Sequence, residues 1–312
     1  MEAKPDATNP VKEGWLLQPG QFYAVTGMLT MDAPTHPMTI NTSVQDVGKR
    51  IMELRGALER RKRTVLTPYN PDSWEQLLRQ FNLLPKYPKL PSLICSSFNV
   101  GIRQILLTFT PPNSSSTSSL AEAYQREVAK EFERRQYTGP LTGQEVEEFI
   151  GPFQSSPLSL VPKPGKPGKF WAVHNFSYPH HPKQNFSSIN HTIDACTYPC
   201  TWGTLATVCY TIFNLPPGSQ ASVCDVAEAY HTIPVHLDQW LGLVVRLDKE
   251  DSFAINTNNN FGLSSAGGVY SEVGDAAANI FRAYGIGLLS KWVDNYIFSR
   301  IPHQHLDSYN AK

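Results

Sequence analysis

The chain has 312 residues, 41% of them hydrophobic and 17% charged, enough to bury one large core or two ordinary ones and too apolar for an acidic disordered chain. No apolar run approaches the roughly 18–20 residues of a spanning helix, and Met1 to Trp15 lacks the basic-then-apolar pattern of an export signal. Lys+Arg and Asp+Glu balance at 27 each, so any grip on nucleic acid must come from local patches, and five cysteines argue for a reducing, intracellular setting without separating cytoplasm from nucleus.

Residues 1–40, rich in Pro, Thr, Asp and Met, have no sustained periodicity and read as a disordered leader. Val44, Val47, Ile51, Leu54 and Leu58 then recur at three- and four-residue steps, one face of a helix that Thr42 or Ser43 can cap. The basic run Arg60 to Arg63 closes it, where cations suit the negative pole of the helix dipole, and reads as a solvated helix end. A second helix is expected from Asp72 to Leu84, started by Asn70 and Pro71 and burying Trp74, Leu77, Leu78 and Phe81. Pro111 to Ser119 reads as a linker. Ser119 with Glu122, and Thr142 with Glu145, have capping-box spacing. The first should open a helix through Tyr124, Val128 and Phe132 that stops near Gly139-Pro140, the second a short helix ending at Ile150. Residues 41–150 thus form a helical region with linkers.

Beyond residue 150 the pattern changes. Leu158 to Val161 and Phe170 to Phe176 are strand-like, joined by a Pro/Gly/Lys tip that forbids a helix. Strands are also expected at Ala221 to Val226, Gly242 to Leu247 and Phe253 to Thr257. A Gly/Ala-rich helix follows over Ser264 to Tyr284, then a hairpin with Asp294-Asn295 between its arms. Strand, hairpin, helix, hairpin is an α+β order rather than βαβ alternation.

Two aspartates stand at strand ends, Asp225 after Ser-Val-Cys and Asp294 at the hairpin turn. Either alone reads as a turn former. Together, two carboxylates on adjacent strand ends can hold a pair of Mg²⁺ ions about 3.5–4 Å apart and serve phosphoryl transfer. Here the sequence resembles a known family, the reverse transcriptases. Ser222 to Val235 (SVCDVAEAYHTIPV) resembles their motif A, Asn260 to Gly267 (NFGLSSAG) motif B, and Trp292 to Asn295 (WVDN) the Tyr-x-Asp-Asp box of motif C. Upstream, Ser156 to Lys163, Lys169 to Phe176 and Ser188 to Asn190 resemble the fingers motifs. The overall style is similar to retroelement polymerases of fungal genomes.

The resemblance implies a right-hand polymerase over residues 151–312, fingers and palm, with an antiparallel palm sheet backed by helices. It implies Mg²⁺ or Mn²⁺ held by Asp225, Asp294 and the Val226 carbonyl. Lys163 would face the incoming triphosphate, Tyr230 would lie under its sugar, and Phe261 and Gly262 would pack near nucleotide and template. Lys166 and Lys169 belong to a cationic patch, since residues 151–200 hold four lysines, no arginine and one aspartate. The implied partners are an RNA or DNA template-primer and deoxynucleoside triphosphates.

Three departures lead to the expectation of impaired activity. Trp171 stands where the fingers motif usually carries an arginine, so a bidentate phosphate fork is lost. Asn295 replaces the second aspartate of motif C. The chain ends at Lys312, soon after motif C, which reads as a truncated or repurposed polymerase without thumb. The alternative reading is a non-catalytic nucleic-acid-binding remnant. Weaker signals are Gly262-Leu263-Ser264-Ser265-Ala266, near a nucleophile elbow but lacking its second glycine. Cys196 and Cys200 with His180, His181 and His191 have zinc-ligand types at uncommon spacing, and Asp225 with Glu228 has the residue types of a hydrolytic acid/base pair.

Overall fold

The computed structural model describes residues 52–53, 56–182, 186–247 and 250–310. The expected leader, and Val44, Val47, Ile51 and Leu54 of the first expected helix, lie outside these residues. Residues 56–62 are helical, and the basic run is only partly solvated. The Arg61 guanidinium lies over the Trp240 ring at 5.5 Å and donates to Thr64 O at 2.6 Å, while Lys62 Nζ stands 4.3 Å from the Phe149 ring centroid. The aliphatic stems and cationic heads pack on aromatic surface, which charge alone does not announce.

Helix α1 (Pro71–Gln80) starts on Asn70, whose side chain accepts from Ser73 N, and buries Trp74 and Leu78. It stops four residues earlier than the hydrophobic spacing suggests, because Asn82 turns into the left-handed region at φ 55°. Helix α2 (Leu90–Ser96) was not anticipated; Pro91 at its start disguises it. The serine cluster is no linker: Ser114 caps helix α3 (Ser115–Ser119), and Thr117 is buried. That placement defeats the expected Ser119–Glu122 box. Ser119 lies inside α3 and donates to Ser116 O, so helix α4 (Ala121–Glu133) begins at Leu120 with no side-chain cap. Strand β1 (Tyr137–Leu141) then appears where the Gly139-Pro140 stop signal suggested an end. It is an edge strand, where a proline has no ladder hydrogen bond to lose. Helix α5 (Gly143–Ile150) has its complete capping box, Thr142 and Glu145 serving each other's backbone.

The strands form three antiparallel sheets. β2 (Leu158–Pro162) pairs with β3 (Phe170–His174) in an isolated hairpin. After α6 (Ile189–Thr192) and α7 (Leu205–Asn214), strand β4 (Gln220–Asp225) enters a sheet of order β4-β8-β7, with β7 Leu289–Trp292 and β8 Asn295–Arg300. β1 joins β6 (Phe253–Asn256) and β5 (Val244–Arg246) in the order β1-β6-β5. The main core mixes Trp74 and Leu78 with Leu243, Ile255 and Val273, so residues on both sides of position 150 share it. A smaller cluster joins Tyr124 and Tyr137 to Leu158 and Leu160, seating the β2–β3 hairpin on α4. No described helix is long and apolar enough to cross a membrane.

Helix α8 (Ala266–Ala283) backs the β4-β8-β7 sheet and is mostly buried. Its small residues admit close neighbours: a Cβ on Gly268 would run into the Tyr198 carbonyl, and one on Gly274 would reach 3.2 Å from Lys291 Nζ. A Gly→Ala change inside a helix ordinarily gains about 1 kcal/mol. Gly268→Ala is expected to lose about 1–3 kcal/mol instead, because a backbone oxygen cannot rotate away; urea unfolding reads the sign directly.

Candidate active site

The β4–β8 ladder sets the geometry. Six residue pairs run from Gln220↔Arg300 to Asp225↔Asn295, and beyond the last pair Val226 N donates to Asp294 O at 3.0 Å. β7 and β8 meet at Trp292↔Asn295, so the hairpin turn is Val293-Asp294, one residue earlier than the expected Asp294-Asn295. Asn295 is the first strand residue instead, and its Nδ2 donates to Asp294 Oδ1 at 3.0 Å. Val293 occupies φ 55°, a conformation glycine adopts freely and a β-branched residue reaches at a cost of about 1–3 kcal/mol.

Asp225 and Asp294 therefore lie at one end of one sheet. Asp225 is exposed. The Asp294 carboxyl is pushed above the usual carboxylate range, first by partial burial and then by the negative charge of Asp225. Among the described residues no ion pair involves either aspartate. The donor set of two carboxylates and the nearby Val226 carbonyl is hard oxygen, which suits Mg²⁺ completed by substrate phosphates. No group of three or more His, Cys, Asp or Glu residues able to hold a metal occurs among the described residues, so the Cys196/Cys200/His cluster forms no such site.

Two tyrosine rings, Tyr230 and Tyr270, lie within reach of the Asp294 charge, and Phe261 packs on the first of them. Tyr230, in the 3-10 turn Ala229–Thr232 after β4, meets Phe261 at 5.6 Å and Tyr270 edge-on at 5.8 Å. Its hydroxyl pKa is raised by burial and by the Asp294 charge. Phe261 is 70% exposed. Gly262, at φ 106°, has room for no Cβ larger than a close contact with His174 O at 3.0 Å. Asn190 pins this loop from both sides, donating to Gly262 O at 2.9 Å and accepting from Ser264 N at 2.8 Å. Ser264 thus sits in a pinned loop before α8, not on a strand-to-helix elbow.

Lys163, Lys166 and Lys169 lie at the tip of the β2–β3 hairpin, which belongs to a different sheet from the carboxylates. Lys163 N donates to Lys169 O at 2.9 Å, and Gly165 and Gly168 take positive φ to make the turn. Lys163 Nζ stands 5.7 Å from the Trp171 ring centroid. Glu228 pairs with Arg134 on α4 and is thereby drawn away from the Asp225 pairing considered from sequence.

Sequence reasoning missed the support beneath the site. Lys291, on β7, is buried in the core and pairs with Asp275 of α8 at 2.7 Å. The run Asn256 to Asn260 is also buried; Asn256 Nδ2 donates to Asn260 Oδ1, Asn258 Nδ2 to His231 O, and Asn259 Nδ2 to Ala266 O. A tract of amides at a strand end was the visible signal, but nothing in composition says whether such a tract faces water.

No family model and no curated protein matches the chain. Among solved structures it is similar to a foamy viral protease–reverse transcriptase in complex with double-stranded DNA, at TM-score 0.44 and 15% identity over 90% of this chain and 43% of that one. Native prototype foamy virus protease–reverse transcriptase gives TM-score 0.44 at 12% identity, covering 89% of this chain and 32% of that one. The foamy viral enzyme with an RNA/DNA hybrid gives 0.41 at 15%, covering 90% and 32%. The chain spans less than half the length of these proteins. Overlaps this loose carry no weight for function.

Asp294 is an acid with a raised folded-state pKa, so the strain of ionising it is absent below its unfolded value and develops as pH rises through the folded one. Asp294→Asn should therefore raise Tm near neutral pH by about 1–3 °C in metal-free buffer, the gain vanishing toward pH 3–4. Millimolar Mg²⁺ or Mn²⁺ should stabilise the native chain and leave Asp294→Asn and Asp225→Asn unmoved in the same thermal-shift series.

Proposed function

We propose that the chain is the fingers-and-palm region of a reverse transcriptase-like polymerase of retroelement origin, with β4-β8-β7 and α8 as palm and the β2–β3 hairpin as part of the fingers. The observation that carries the reading is the pair of carboxylates at the β4 and β7–β8 ends, close enough for one to feel the other and offset by no cation among the described residues. Motifs A, B and C fall on β4 and the turn after it, on the pinned loop before α8, and on the β7–β8 hairpin.

The reaction is addition of a deoxynucleotide to a primer 3′-hydroxyl on an RNA or DNA template. Asp225, Asp294 and the Val226 carbonyl would hold Mg²⁺ or Mn²⁺. The metal supplies charge neutralisation for the attacking and leaving oxygens when bound. The remaining work is positioning. Tyr230, braced by Phe261 and Tyr270, offers a flat wall for the sugar and excludes a 2′-hydroxyl by bulk. Phe261 and Gly262 would border the nucleotide and template, the glycine letting this loop lie against the His174 carbonyl. Lys163 would meet triphosphate charge, and Lys166 and Lys169 the nucleic-acid backbone.

Asn295 favours a second reading, binding without turnover. Its amide spends a hydrogen bond on Asp294 Oδ1 and brings no charge of its own. Primer extension separates the two. On the first reading, the chain adds deoxynucleotides in Mn²⁺ or Mg²⁺, Asp225→Asn and Asp294→Asn each cut the rate by at least about 100-fold with template-primer binding unchanged, and Asn295→Asp raises it. Binding without extension in the native chain and in Asn295→Asp would establish the second reading.

A further inference from the structure

The β2–β3 hairpin has two unlike faces. Leu158, Leu160, Ala172 and Phe170 pack on the smaller core. The opposite face carries the cross-strand pairs Ser159↔Val173 and Val161↔Trp171. Trp171 is 48% exposed and Val161 42%. An aromatic ring costs free energy in water unless something covers it, and Lys163 covers it only in part, through an ammonium 5.7 Å from the ring centre. Lys166 and Lys169 are exposed at the tip. From Phe149 to Ile193 the sequence contains no Asp or Glu at all.

A half-exposed indole with one ammonium over it, on a hairpin whose tip carries two further exposed lysines in an acid-free stretch of sequence, has the two elements of a single-strand nucleic-acid site. One is a π face on which any base can stack, the other a set of cations that follow the phosphates. We infer that Trp171 is a base-stacking platform for an unpaired strand of DNA or RNA, with Lys166 and Lys169 meeting the phosphates of that strand. Charge complementarity selects the occupant: a second copy of the hairpin would bring three more lysines against the first three. The inference rests on the polymerase reading only for what the strand is, a template ahead of the primer end; the stacking itself needs no turnover.

The test uses the full chain and two fluorescent single strands of equal length and phosphate number, oligo-dT and its abasic counterpart, with affinity read by anisotropy. Native protein should bind oligo-dT at least about fivefold more tightly than the abasic strand. Trp171→Ala should remove that ratio, Trp171→Phe should keep most of it, and Lys166→Ala with Lys169→Ala should weaken both strands alike and flatten the salt dependence. Equal affinity of native protein for the two strands would overturn the inference without any variant, as would an undiminished ratio in Trp171→Ala. Concentration-dependent self-association that Trp171→Ala abolishes, with no base-dependent binding, would assign the face to a second copy. Metal-dependent primer extension that persists alongside a failed stacking test would leave the polymerase reading standing; loss of extension with stacking intact would do the reverse.

Discussion

Everything at the site depends on the antiparallel pairing of β4 with β8. The ladder delivers Asp225 opposite Asn295 and, by one further hydrogen bond from Val226 N, fixes the backbone of Asp294 next to it. Two like charges are held close by a frame that lacks the freedom to part them. A short hairpin whose first turn residue is a strained valine tightens the frame further. Electrostatic discomfort of this sort is a cost to folding.

The frame stands on buried polar groups as much as on apolar ones. The Lys291–Asp275 pair joins β7 to α8 at the edge of the core, and removing the half-buried Asp275 would strand the charge of the buried Lys291. The amides of Asn256 to Asn260 tie the end of β6 to the turn after β4 and to the start of α8. Fully bonded networks of this type specify one arrangement of backbone where oily contacts would tolerate several. The small residues of α8 complete the fit by letting a loop and a lysine lie against the helix.

Much of this was legible in the chain. Alternating apolar residues located β2, β3, β4, β6 and the last hairpin, Asn70-Pro71 and the Thr142–Glu145 box located two helix starts, and the two aspartates do lie at neighbouring ends of one sheet. What escaped did so for physical reasons. Proline hid α2 and β1, because its effect depends on position within an element and on whether a strand is at an edge. Ser119 lost its capping role to the helix that the serines themselves formed. The turn register of Val293-Asp294 was misplaced by one residue because valine rarely accepts positive φ. The destination of Lys291 was beyond reach, since burial of a lysine depends on an aspartate sixteen positions earlier across a helix–sheet contact.

The bridge made by Asn190 has a mechanical consequence. One amide holds residues 262–264 by both its ends, and its own backbone hangs from Phe176, just past β3. Any swing of the hairpin away from this loop must drag the loop along or sever two hydrogen bonds at about 1–3 kcal/mol in all. A single side chain thus couples residues 262–264 mechanically to the segment that leaves the hairpin.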